Sequence, residues 1–321
     1  MNIQTIALER QTVADTIRQF FRARDYVEVD TPILVRSPGM EPNLMPFETE
    51  LVDERGIVHP GGLITSPEYS MKKLLGRGME RIFTIAPVFR NGEELGGTHQ
   101  PEFRMLEWYR QGADYQACMD ETEALVRAVG AAFSRTFPAF RRLRVRDLFL
   151  EYVGVDLDTV DATGLRVACG DRGLRTDPSD TESDLFYRLF LSFVEPRLGP
   201  DPVFVYDYPK HQASLSQLTD DGKYGQRFEL YVDGLELCNG FTELTDVAEQ
   251  RKRFLEEAAE RRDLGKTVFP LDEEFLSLLP RIRQPAYGNA LGVERLHMVA
   301  TGKKSIEDVL LFPASQLFGT K

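Results

Sequence analysis

Residues 228–241, FELYVDGLELCNGF, leave fewer structural choices than any other stretch of this 321-residue chain. Two alternating apolar and polar runs meet at Asp233-Gly234, a dipeptide suited to the left-handed backbone of a two-residue hairpin turn. The turn fixes a register in which Val232 faces Leu235, Tyr231 faces Glu236, Leu230 faces Leu237 and Glu229 faces Cys238. Leu230, Val232, Leu235 and Leu237 then form an apolar face. Glu229 and Glu236 share the other face as diagonal neighbours, with backbones roughly 7 to 8 Å apart. Long acidic side chains at that spacing suit a hard divalent cation such as Mg²⁺, which takes one or two carboxylates and completes its shell with phosphate oxygens. The alternative is a solvated outer face carrying two incidental glutamates. Asn239 falls on the apolar parity, so Gly240 is expected to introduce a bulge that redirects Asn239, Phe241 and Glu243.

A second strand pair adds to this. In HQPEFRMLEWYR, residues 99–110, Phe103, Met105, Glu107 and Tyr109 share a face by period two, and a glutamate among them is unusual for an apolar strand. Arg90 ends the preceding strand at VFRNGEE, so a cation, aromatic rings and acids converge on one cleft. Arginine grips phosphate through its fork of donors, and Phe103 is placed to stack under a base. Taken singly, Arg90 also reads as a surface ion-pair partner, and Phe103 and Tyr109 as core aromatics. Near the C-terminus, GNALGVERL sets Gly288 and Gly292 before Arg295, a pattern compatible with a nucleotide site or with a plain loop-to-helix junction.

The remaining pattern frames these pieces. Residues 8–24 carry Val13, Ile17, Phe20 and Phe21 at helical spacing, and residues 26–34, YVEVDTPIL, read as an edge strand interrupted by Pro32. Helices are expected over 63–75 after Ser66-Pro67, over 115–135, 182–194 and 247–263. Strands are expected over 81–90 and 100–110, from Val203 through Val205 and Leu215, and over 228–243. Residues 155–200 are the least informative. With no internal repeat, the simplest architecture is α+β, one domain over 1–321 built on an antiparallel sheet flanked by helices. A formal net charge of −12 works against a broad phosphate-binding surface. Cys118, Cys169 and Cys238 are widely separated and suggest neither a disulfide framework nor a zinc site, in keeping with a reducing cytoplasm. No stretch approaches the roughly 18 apolar residues of a membrane span.

In order and type these segments resemble the signature motifs of the class II aminoacyl-tRNA synthetases, over nearly the whole chain. YVEVDTPIL resembles motif 1, VFRNGEE through HQPEFRMLEWY motif 2, and GNALGVERL motif 3, while TSPEYSMKKLL and ELCNGFTELTD resemble the lysine-pocket segments of the lysyl branch. The resemblance implies ATP and Mg²⁺ as cofactors. Arg90 and Arg295 would be the catalytic cations, with Glu93, Gln100 and Phe103, and Glu236, Leu237 and Gly292, around the nucleotide. Glu229 and Glu236 would hold the metal. Ser66, Pro67, Glu68, Glu107 and Tyr109, together with Asn239, Phe241, Glu243 and Ala290, would form the amino-acid pocket. Motif 1 implies a homodimer.

Motif 1 begins within the first thirty residues, which leaves no room ahead of it for the anticodon-binding OB domain of lysyl-tRNA synthetase. The sequence is similar in this respect to the domain-lacking lysyl paralogues that attach (R)-β-lysine to elongation factor P, and Ala290 stands where the synthetases carry glycine. Lysine or (R)-β-lysine is therefore the expected substrate and elongation factor P the expected acceptor, with tRNA disfavoured. A truncated synthetase and a non-catalytic regulatory paralogue are the alternatives. Arg90-Asn91-Gly92-Glu93 departs from the usual motif 2 by one inserted residue, and Gln100 replaces the usual asparagine.

Overall fold

The computed structural model describes residues 2–213 and 215–319, so the expected domain span of 1–321 includes residues outside those described. The first half contains α1 (Ile3–Arg22), β1 (Val27–Glu28), β2 (Leu34–Val35), β3 (Glu48–Val52), β4 (Val58–Leu63), α2 (Glu68–Gly76), β5 (Arg81–Phe89), β6 (Glu102–Gln111) and α3 (Tyr115–Ala132). Then come β7 (Arg141–Arg144), α4 (Val145–Tyr152), α5 (Ala162–Asp171), α6 (Glu182–Leu189), β8 (Val203–Pro209), β9 (Tyr224–Val232) and β10 (Leu235–Thr242). The chain closes with α7 (Val247–Asp263), α8 (Glu273–Leu278), β11 (Ala286–Gly292), α9 (Val293–Thr301) and α10 (Ala314–Phe318).

Eight strands form one sheet in the order β1-β5-β6-β11-β10-β9-β8-β7, and β2-β4-β3 form a second. Only the outermost pairs of the large sheet, β1 with β5 and β7 with β8, are parallel. The expected α+β class with a mostly antiparallel sheet is thus observed. The edge strand expected over 26–34 is shorter: β1 sits at the sheet edge but covers only Val27–Glu28, Pro32 lies outside any strand, and β2 already belongs to the second sheet. α1 starts at Ile3, earlier than its apolar spacing alone suggests, because the Asn2 side chain caps it by accepting from the Gln4 amide.

Each face of the large sheet has its own cover. On one side α1, α3 and α9 bury Val13, Ile17, Phe21, Met119, Val126 and Leu296 against Leu106, Trp108, Leu230 and Leu291. On the other side two separate helical clusters press on opposite ends. Phe149, Phe186 and Phe190 of the 145–198 region pack on Val203, Val205 and Tyr231. Met71, Leu75, Phe254 and Phe275 of α2, α7 and α8 pack on Ile82, Tyr109 and Phe241. The centre of that face stays open between them.

Three expectations shift. The strand beginning at Val203 ends at Pro209 in a short 3₁₀ turn, and Leu215 belongs instead to the cluster of α2, α7 and α8. The helix expected over 182–194 is α-helical only to Leu189 and continues as a π turn, Phe190–Val194. The glycine-rich run at 288–292 is not a loop but the end of β11, leading directly into α9. The small sheet and its surroundings leave Val27, Leu34, Leu51, Val52 and Val58 exposed.

Candidate active site

The hairpin forms with Asp233 and Gly234 at φ 55° and 77°, and Arg135 clamps the Asp233 carboxylate with two bonds of 2.9 and 2.8 Å. Leu235 faces Val232 and Glu236 faces Tyr231, as expected. The register then slips between Glu236 and Cys238, so Leu230 faces Cys238 and Glu229 faces Asn239. The bulge is therefore at Leu237, not at Gly240. Leu237 and Cys238 are both buried in the core, and the extra residue absorbs two consecutive apolar side chains. Gly240 has another reason to be small: a Cβ there would meet Phe228 Cζ at 2.6 Å. Because the slip comes before Asn239, that residue and Phe241 share the face of Glu229 and Glu236. They line one cleft with them, of about 990 Å³.

The middle of the sheet supplies the floor. β6 pairs with β5 and β11 without a break, so Phe103, Met105, Glu107 and Tyr109 point into the cleft beside Ala290 and Gly292. At one end the Arg90 guanidinium lies 5.3 Å from the Phe103 ring centroid, and its Nε is buried without a partner. Burial pulls the Arg90 pKa down, with Glu236, Glu93 and Glu41 opposing. Arg295, in the first turn of α9, donates Nη1 to the Glu236 carbonyl at 2.9 Å and Nε to the Thr98 carbonyl at 3.3 Å. Its Nη2 meets His99 Nε2 at 3.0 Å, which leaves one proton on each terminal nitrogen for an anion. Glu93, Gln100 and Leu237 line the same end. Gln100 is 3% exposed; its Oε1 accepts from the Ala314 amide at 2.9 Å while its Nε2 has no partner.

The other end of the cleft is acidic. Glu107 is 1% exposed, Tyr109 donates to its Oε2 at 3.0 Å, and Oε1 has no hydrogen-bond partner among the described residues. Burial, then the charge of Glu68, lifts the Glu107 pKa well above the carboxylate range. Ser66 and Glu68, at the start of α2, line the cleft with Asn239 and Phe241, whereas buried Pro67 turns the chain without reaching it. Glu243, expected in the lining, lies one layer deeper and is fully buried. Lys72 covers it, with Nζ 2.5 Å from Glu243 Oε2 and 2.6 Å from Glu68 Oε1. Burial alone would lower the lysine pKa, but the two carboxylates hold it above its ordinary value. The wall opposite α7 comes from the 155–200 region, through Leu157, Val160, Leu165 and Tyr187.

A family model for the class II tRNA synthetases of the D, K and N group matches residues 1–316. The chain belongs to that family. Class II synthetases are ATP-dependent ligases that activate amino acids and generally use Mg²⁺. In this class II domain the carboxylates available for a metal differ. The Glu236 carboxylate accepts no hydrogen bond among the described residues, and burial and the neighbouring Glu229 raise its pKa. Glu229 is 5% exposed and its oxygens are already bonded: Oε1 by Arg227 at 2.6 Å, Oε2 by Tyr208 and Tyr231 at 2.5 and 2.7 Å. Among the described residues no three His, Cys, Asp or Glu cluster as metal ligands, and a Mg²⁺ held by one or two carboxylates would take the rest of its shell from phosphate and water. Glu236 has the chemistry for such an ion.

Sequence reasoning missed Lys72, Arg227 and Tyr208. Lys72 was legible as the helical i+4 partner of Glu68, and Arg227 by parity with Glu229. Tyr208 gave no signal, since only the β8–β9 pairing brings it near.

Proposed function

We propose that this domain uses ATP to activate lysine or (R)-β-lysine and passes it to a lysine side chain of elongation factor P. The observation that carries the substrate class is the buried, unpartnered Oε1 of Glu107 beside Glu68. A carboxylate so placed needs a cation, because an unpaired buried acceptor costs about 1–3 kcal/mol or more. An amino acid with a second ammonium group provides it. Lys72 neutralises Glu243 and part of Glu68, so the pocket retains negative charge for the substrate.

Activation joins a carboxylate oxygen of the amino acid to the α-phosphorus of ATP and breaks the bond to the β-phosphate, releasing pyrophosphate. Arg90 beside Phe103 and Arg295 at the start of α9 would hold the phosphates and stabilise charge on the departing oxygens. Mg²⁺, when bound, screens the phosphates and acts as a Lewis acid. Attack of the acceptor amine on the carbonyl then expels AMP, and the amine loses a proton. A protein acceptor is supported by the more exposed part of the cleft lining, where Glu182, Asp184, Glu256 and Glu260 outnumber Lys210, Lys223 and Lys252 and would disfavour an RNA backbone. The exposed Val27, Leu34, Leu51 and Val58 favour a homodimer through the motif 1 side.

Pyrophosphate exchange with each amino acid, followed by mass analysis of elongation factor P, tests the reading. Exchange plus a mass increase of one aminoacyl group is expected. No exchange with either amino acid refutes it, and tRNA charging without a mass shift on elongation factor P reassigns the acceptor.

A further inference from the structure

Glu229 accepts three side-chain hydrogen bonds, all of 2.7 Å or less. The Tyr208 ring lies under the Arg227 guanidinium, 4.5 Å from carbon to centroid, and Arg227, Tyr208 and Tyr231 are 7%, 0% and 3% exposed. Arg227 is itself anchored, with Nε on Asn239 Oδ1 at 3.0 Å and Nη1 on the Gln212 carbonyl at 2.7 Å. Three strands and the turn after β8 thus converge on one carboxylate. The two phenol protons occupy the lone pairs of Oε2, and Oε1 sits against a guanidinium whose charge opposes a second cation. The Glu236 carboxylate accepts none of these hydrogen bonds, and Arg295, Arg227 and Arg90 reach it through charge alone.

We infer that Glu236 is the one protein carboxylate that takes the divalent cation accompanying the nucleotide, and that Glu229 is a positioning residue that fixes Arg227 and, through it, Asn239 of the amino-acid pocket. The inference rests on the reading of this cleft as an ATP site and departs from a shared two-glutamate metal site. It makes one cluster, spanning β8, β9 and β10, the link between the nucleotide end and the amino-acid end.

Mn²⁺ is the probe, titrated into the protein with a non-hydrolysable ATP analogue and followed by electron paramagnetic resonance. Glu236→Gln is expected to weaken Mn²⁺ binding by at least about tenfold. Glu229→Gln and Tyr208→Phe are expected to leave it within about threefold, less than the tenfold that corresponds to 1.4 kcal/mol. In pyrophosphate exchange Glu229→Gln should raise the amino-acid KM while the Mg²⁺ midpoint stays in place. Loss of Mn²⁺ in Glu229→Gln equal to that in Glu236→Gln, with unchanged circular dichroism, overturns the inference and leaves the ATP reading intact. If Glu229→Gln does not fold, Tyr208→Phe decides: freeing a lone pair on a true metal ligand would tighten Mn²⁺, which also overturns it. A wild-type protein that binds no Mn²⁺ with nucleotide refutes the ATP reading, and the inference with it.

Discussion

Gly288 faces Tyr109 on one side and Phe241 on the other, at the closed end of the cleft. A Cβ there would stand 2.2 Å from Tyr109 Cε1, 2.4 Å from Glu243 Oε1 and 2.6 Å from Tyr109 Cδ1, whereas ordinary contact begins at 3.4 Å. In Gly288→Ala the ring must therefore retreat by roughly 1 Å into a packed cluster with Phe241, Met71 and Leu75, an overpacking cost of about 1–3 kcal/mol. The Tyr109–Glu107 hydrogen bond goes with it, about 1 kcal/mol more. For a chain of this length ~1.5 °C of Tm accompanies each kcal/mol, so melting falls by about 3–6 °C. Glu107 loses its tether, and a displacement of that order costs about a hundredfold in positioning. Pyrophosphate exchange should show this as a higher amino-acid KM with the ATP KM nearly unchanged, because Gly292 and Arg90 lie toward the other end. A Tm within about 1 °C of wild type together with an unchanged amino-acid KM would refute the account of the pocket floor.

Glu107→Gln keeps the shape and removes the charge, so the amino-acid KM should rise by about 10–100-fold, the equivalent of a charge-assisted bond of ~1.5–3 kcal/mol, with ATP KM unaffected in the same exchange assay. Ala290 lies opposite Glu107 and Asn239, and Ala290→Gly should move the ratio of exchange rates toward α-lysine by about tenfold, the effect of one methyl in a tight pocket. Ligand-free stability should rise as pH falls from about 8.5 to 6.5. Burial raises the pKa of Glu41, Glu107 and Glu257, the last to about 8, so the native state binds more protons than the unfolded chain above 4.5. Below 6.5 His211 and His297, pushed down to about 4 by burial, work the other way. Calorimetry in half-unit steps checks this, and a Tm that falls between pH 8.5 and 6.5 contradicts it.

The sequence revealed most where local geometry decides. Period two in residues 103–109 was readable because β6 runs unbroken between two partners, and the turn at Asp233-Gly234 because both residues need left-handed backbone. It misled where packing decides. Gly240 looks like the bulge residue, yet its size answers to the Phe228 ring, while the slip at Leu237 serves two buried side chains that only the folded core brings into play. A bulge followed by period-two alternation sends Glu243 to the cleft with Asn239 and Phe241, and nothing in the spacing says that Lys72 will cover it. The wall over 155–200 was opaque because α4, α5 and α6 span only 8 to 10 residues each, too short to hold without the contacts of Phe149, Phe186 and Phe190.

An unbroken strand delivers side chains to one surface only at even separations. Glu236 and Asn239 are three apart and both reach the cleft, so the slip at Leu237 acts as a phase shifter between two chemical tasks written on one strand. The length of this short segment therefore carries information that residue identity does not. A relative that keeps every glutamate and asparagine but loses one residue between them would bring the pair to an even separation and hold both in the cleft without a slip, whereas one of the same length that paired without the slip would turn one set of groups into the core. Counting residues from Glu236 to Asn239 is thus a direct way to ask whether such a protein needs a slip in this strand to hold both of its substrates at once.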